Sequence, residues 1–147
     1  MSIRKIEDSL GLELPADYKL FLGKFNHNAV ISFKSDWNLM NRSNWTFVGP
    51  LELCRVIDKS SLEWWQILMF YKYENKNYTK SPNSLAEIDE GLVREFVAIA
   101  YDEGDIIFMD ARDKFNLGIY LHDVNEIELS DMSVTSILTK MKLIYSE

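Results

Sequence analysis

The chain holds one cysteine, Cys54, so it can form no internal disulfide and no multi-cysteine zinc site, and it suits a reducing compartment. Its two histidines, His27 and His122, lack the i, i+4 spacing of a helical zinc motif, and its six glycines are too scattered to form a phosphate-cradling loop. No Gly-x-Ser-x-Gly elbow is present, and Cys54, among Leu53, Val56 and Ile57, reads as a small core residue rather than a nucleophile. The most apolar run, Trp64 to Tyr73, falls far short of the ~20 residues that cross a bilayer, and the N-terminus has no apolar leader segment. The expected location is cytoplasmic, with no cofactor.

Basic residues are also short. Sixteen Lys and Arg stand against 23 Asp and Glu, a net charge of −7, which argues against nucleic acid or an anionic membrane and favours a basic protein partner. Hydrophobic residues make up 47% of the 147 positions and charged ones 27%, an ordinary globular balance from which a single domain over 1–147 is expected. Aromatics are plentiful at 13%, enough to furnish surface contacts as well as a core.

The clearest local signal is Gly11-Leu12-Glu13-Leu14-Pro15-Ala16-Asp17-Tyr18 near the N-terminus. Pro15 suits the first helical position, Asp17 faces the positive end of the helix dipole, and Tyr18, Phe21, Leu22 and Phe25 recur at i, i+3, i+4 and i+7. A shorter amphipathic helix precedes it from Ser2 to Leu10, with Ile3, Ile6 and Leu10 on one face and Gly11 as its stop. Ala29 to Phe33 and the stretch around Trp45 to Val48 read as two strands of a long-looped hairpin. Helices are expected from Pro50 and, through the Ser60/Glu63 capping-box spacing, from Ser60 to Tyr73; Glu74 to Ser84 reads as a polar surface loop. Phe96 to Tyr101, Ile106 to Asp110 and Ile119 to His122 have strand composition, with Asp102-Glu103-Gly104-Asp105 as a tight hairpin turn. Val134, Ile137, Leu138, Met141 and Tyr145 share a helical face, which predicts a closing helix from Ser130 to Tyr145. The sum is an α+β domain with a central antiparallel sheet, an N-terminal helix pair and a C-terminal helix packed on it.

The helix, Gly stop, Leu-Pro-x-Asp-Tyr restart and Phe-Leu of the first 22 residues resemble the opening of the SUKH superfamily. The later Phe96 to Asp105 stretch, the strand ending at Asp110, the strand Gly118 to His122 and the final helix are similar to its close. That superfamily is named after a yeast cell-wall-assembly regulator and serves bacteria widely as immunity proteins against polymorphic toxins. The resemblance implies a non-enzymatic immunity protein that binds a cognate toxin domain, with nucleases among the candidate toxins. The alternative is an intracellular regulatory or adaptor domain without a toxin. A third reading, a small enzyme using carboxylates near Asp102, finds no nucleophile context; His122-Asp123 offers only an oriented base.

For the partner-binding surface the candidates are Trp37 and Trp45 together with Asp102, Glu103 and Asp113. Trp is enriched in interface hot spots, and turn carboxylates give an acidic rim that steers a basic partner. Asp102, Glu103, Asp105, Asp110 and Asp113 lack the spacing of a calcium loop, so no metal is expected.

Overall fold

The computed structural model describes residues 3–11, 13–25, 27–33, 41–50, 96–123, 126–138 and 141–146. The expected helix from Ser60 to Tyr73, the polar loop after it, Cys54 and Trp37 lie outside the described residues. Helices and antiparallel strands make an α+β fold, organised in two compact units: Met1–Leu62 with Val134–Glu147, and Glu63–Ser133.

In the first unit, α1 (Ile3–Leu10) and α2 (Ala16–Leu22) are followed by β1 (Ala29–Phe33) and β2 (Arg42–Phe47). Gly11 ends α1 at φ 69°, as its position predicts. Pro15 stands one residue earlier in the helix scheme than expected. Its ψ of 142° is extended, so it caps α2 from outside while its carbonyl accepts the Lys19 N–H at 3.0 Å. Tyr18, Phe21 and Leu22 are buried, and Phe21 meets Phe47 of β2 edge-on at 5.4 Å between centroids. Phe25 lies past the helix end and is half-buried, touching Phe21 edge-on.

The expected closing helix is corrected. α3 spans only Val134–Leu138, and the chain then becomes β7 (Met141–Ser146), antiparallel to β1 from Ala29↔Ser146 to Phe33↔Met141. Met141 and Tyr145, four apart, fit the helical face, but Met141-Lys142-Leu143 also alternates as a strand does, and the ladder offered by β1 decides between the two, with a bulge between Leu143 and Tyr145. The strand order in this unit is β2-β1-β7. α3 meets α2 where the Thr135 hydroxyl donates to Asp17 Oδ2.

The second unit is a meander of β3 (Phe96–Asp102), β4 (Asp105–Asp110), β5 (Asn116–Leu121) and β6 (Glu126–Leu129), in spatial order β6-β5-β4-β3. Its β6 was not expected from the sequence, being four residues long with only one Glu-Ile-Glu-Leu alternation as signal. Phe96 to Ala100 and Ile106 to Met109 are buried without a break, so both faces of these strands are covered. Phe96 stacks on Phe108 at 4.1 Å, and the Phe108 ring lies across Gly118, its partner on β5, where a Cβ would come within 2.3 Å of the ring. Gly118 is therefore required by close approach, the neighbouring aromatic filling the space that it leaves.

Candidate functional site

The β3–β4 turn is the tightest that two strands allow. Asp102 pairs with Asp105, and the two residues between them, Glu103 and Gly104, have φ of 49° and 97°. Two successive positive φ values are what a type I′ hairpin turn demands, and they match the right-handed twist of the flanking strands. Glu103 is exposed and Asp102 half-buried at this end of the meander.

Asp105 departs from the expectation that the turn carboxylates all face solvent: the residue is only 6% exposed. Its Oδ1 accepts the backbone N–H of His122 at 2.8 Å and faces His122 Nδ1 at 2.5 Å. A carboxylate only accepts, so Nδ1 carries the proton of this bond. The other ring nitrogen, Nε2, is 2.9 Å from Oδ1 of the exposed Asp123. The register brings these groups together, since Ile106 pairs with Tyr120 and the end of β5 therefore lies beside the start of β4. One end of the unit thus gathers Asp102, Glu103, Asp105, His122 and Asp123.

Asp113 belongs to the other end. β4 separates the two ends by five residue steps, about 17 Å at ~3.4 Å per residue. The loop there turns on Asp110, whose carbonyl accepts N–H bonds from Asp113 and Phe115 at 3.1 and 3.0 Å. Its carboxylate, on a residue 2% exposed, takes three bonds from Arg112: the backbone N–H and Nε at 3.0 Å each, and Nη2 at 2.8 Å. The same guanidinium lies 5.7 Å from the Phe96 ring centroid. Asp113 itself is exposed and accepts from Asn116 Nδ2 at 3.2 Å.

Of the residues read from the sequence as partner-binding, the structure therefore brings Asp102 and Glu103 together and sets Asp113 at the opposite end of the strand. Adjacency in sequence did not survive because the strand between them is extended. Trp45 is corrected outright: it is a core residue of the first unit, at 0% exposure, with Arg42 4.7 Å from its ring centroid, and a fully buried ring offers a partner no contact. Trp37 lies outside the described residues. Sequence reasoning missed the tie between Asp105 and His122; pairing β4 with β5 from the Asp105 end would have put them side by side.

Among the described residues no group of three or more His, Cys, Asp or Glu side chains is arranged to hold a metal ion. Nor is any helix among them long and apolar enough to cross a membrane. What the site can do is present charge: the exposed Glu103 carboxylate and the half-buried Asp102 on a turn followed by the buried Asp105.

A two-helix opening followed by antiparallel strands defines an α+β fold. The chain belongs to the SMI1 / KNR4 family (SUKH-1), whose model matches residues 2–137 and so runs through both units. No curated protein and no solved structure gives a match.

Proposed function

We propose that this protein is an immunity protein which binds a cognate bacterial toxin domain directly and in fixed stoichiometry, and turns over no substrate. The observation that carries the reading is the family match over residues 2–137, within a superfamily widely used by bacteria for toxin immunity. The net charge of −7 adds to it, because a basic toxin, such as a nuclease with a cationic substrate cleft, is drawn to an acidic partner at long range. The contact surface in this reading centres on Asp102 and Glu103 at the β3–β4 turn, with Asp113 a separate contact and Trp37 contributing an aromatic anchor. The protein acts in the cytoplasm, before the toxin reaches its target.

Coexpression with the toxin encoded beside the gene tests the reading. Wild-type protein is expected to rescue growth and to copurify with the toxin, with association slowing as salt screens the attraction over about 8 Å at physiological ionic strength. Changing Asp102 and Glu103 together to Lys, or Trp37→Ala, is expected to weaken rescue. Unaltered rescue removes the surface assignment. Failure of the wild-type protein to bind or protect sinks the immunity function and leaves the adaptor reading, which a pull-down from the producing strain would then address.

A further inference from the structure

We propose that His122 is a positioning residue that fixes the conformation of the Glu103-Gly104 turn, and that in doing so it presets the carboxylates that meet the toxin; the second clause rests on the immunity reading. The first observation is steric. A Cβ on Gly104 would lie 2.9 Å from His122 Cγ, 3.0 Å from Nδ1 and 3.1 Å from Cδ2, so the imidazole lies against the turn and uses the space that only glycine leaves. Gly104 is thus specified twice, by its φ of 97° and by the ring above it.

The second observation is polar. Asp105 Oδ1 receives both the backbone N–H and Nδ1 of His122, a residue 17 positions away just past the end of β5, which fixes both the ring's plane and its distance from the turn. Asp105 is the residue immediately after the turn, so the pair clamps the start of β4 to the end of β5. At the ring's outer edge Nε2 lies 2.9 Å from Asp123 Oδ1, so another exposed carboxylate stands at the same end. Glu103, meanwhile, keeps a φ of 49° that a glutamate seldom adopts, and such a conformation persists when its surroundings over-determine it. A turn held this way need not be ordered when a partner arrives, and affinity gains by that saved entropy.

Hydrogen exchange of the free protein tests the positioning role without any toxin. His122→Ala is expected to speed exchange of the Glu103, Gly104 and Asp105 amides about tenfold while Phe108, mid-strand, keeps its protection. His122→Asn can offer a carboxamide N–H where Nδ1–H sits and is expected to restore most of the protection; His122→Gln, whose amide sits near the Nε2 position, is expected not to. Turn exchange unchanged in the alanine variant, or rescue by Gln equal to that by Asn, overturns the proposal. If the alanine variant loses Phe108 protection as well, the Asn and Gln variants decide. In the second arm, dissociation from the toxin is expected to be about tenfold faster for His122→Ala and close to wild type for His122→Asn. Normal dissociation alongside a loosened turn overturns the presetting clause alone, and a wild-type protein that binds no toxin overturns the immunity reading while the exchange result stands.

Discussion

The two ends of β4 solve one problem in two ways. Each carries a buried carboxylate, Asp105 at the start and Asp110 at the finish, and each carboxylate is matched by a nitrogen-rich side chain. At the Asp110 end the partner is local: Arg112, two residues on, folds back and spends a planar fork on both oxygens, so the loop carries its own anchor. At the Asp105 end the partner comes from the end of the neighbouring strand, and the turn is fixed by something outside itself. A self-anchored loop is a structural unit, whereas a turn anchored from a distance links its conformation to that of another element. The difference marks the Asp105 end as the one whose shape can be tuned.

Removing the anchor at the local end should have the largest effect. Arg112→Ala leaves the buried Asp110 carboxylate with the backbone N–H as its one remaining donor from residue 112, and is expected to cost about 2–3 kcal/mol; water entering beside the half-exposed Arg112 site keeps the cost below the range for a fully enclosed pair. Urea denaturation measures it. Arg112→Lys should recover only part, because an ammonium cannot span both oxygens as the guanidinium does. If either variant matches wild type, the loop does not depend on its anchor and the contrast between the two ends fails.

Gly104→Ala comes next, at about 2 kcal/mol, since it forces a Cβ into the left-handed region and against the His122 ring. Combining it with His122→Ala dissects the sum. The ring clash vanishes in the double variant while the backbone strain remains, so the two losses should be less than additive, and the deficit reports the coupling between the turn and β5. Strict additivity would mean that ring and turn are independent.

What the sequence discloses about these ends follows the range of the interactions. The Asp102 to Asp105 turn is readable because a two-residue hairpin depends on Gly104 and its immediate neighbours. The Asp105–His122 tie is not, because it exists only once β4 and β5 are in register. Trp45 is an intermediate case: composition made it a surface candidate, yet in Asn44-Trp45-Thr46-Phe47 the alternation of polar and aromatic residues already placed Trp45 on the same face as the buried Phe47. The C-terminal tail misled for a different reason, since Val134, Ile137, Leu138, Met141 and Tyr145 keep a helical spacing past the point where the chain leaves the helix, and only pairing with β1 makes Met141–Ser146 a strand. The starts of the N-terminal helices were legible to within a residue, as capping and a 3.6-residue stripe are local properties, although α2 stops at Leu22, before Phe25.

A buried hydroxyl supplies a smaller test, in the first unit. Tyr18 is fully buried, its OH has no hydrogen-bond partner among the described residues, and burial pushes the phenol well above its ordinary range. An unsatisfied buried hydroxyl costs about 1–3 kcal/mol, part of which Tyr18→Phe returns and part of which the small void it leaves takes back. The expected net is a gain of about 1 kcal/mol, read as a rise in the urea midpoint, and a clear loss would mean that the hydroxyl does find a partner in solution.

The smallest effect returns to the comparison and sharpens it. Both ends hold non-glycine residues at positive φ: Glu103 at 49° in the turn, and Lys114 and Phe115 at 53° and 60° in the loop. Asn tolerates this conformation better than Glu or Lys, and Asn-Gly is the preferred pair for a type I′ turn, so Glu103→Asn and Lys114→Asn should each stabilise by about 0.5–1 kcal/mol. Their effects on binding should diverge. Glu103→Asn removes a carboxylate from the proposed contact surface and should weaken toxin binding even as the melting temperature rises, whereas Lys114→Asn should raise it and leave binding unchanged. Such a split between stability and affinity would separate a strained residue kept for contact, Glu103, from one kept for the shape of the loop, Lys114, beside the separate contact at Asp113. Equal effects of the two changes on binding would assign the contact to neither end in particular.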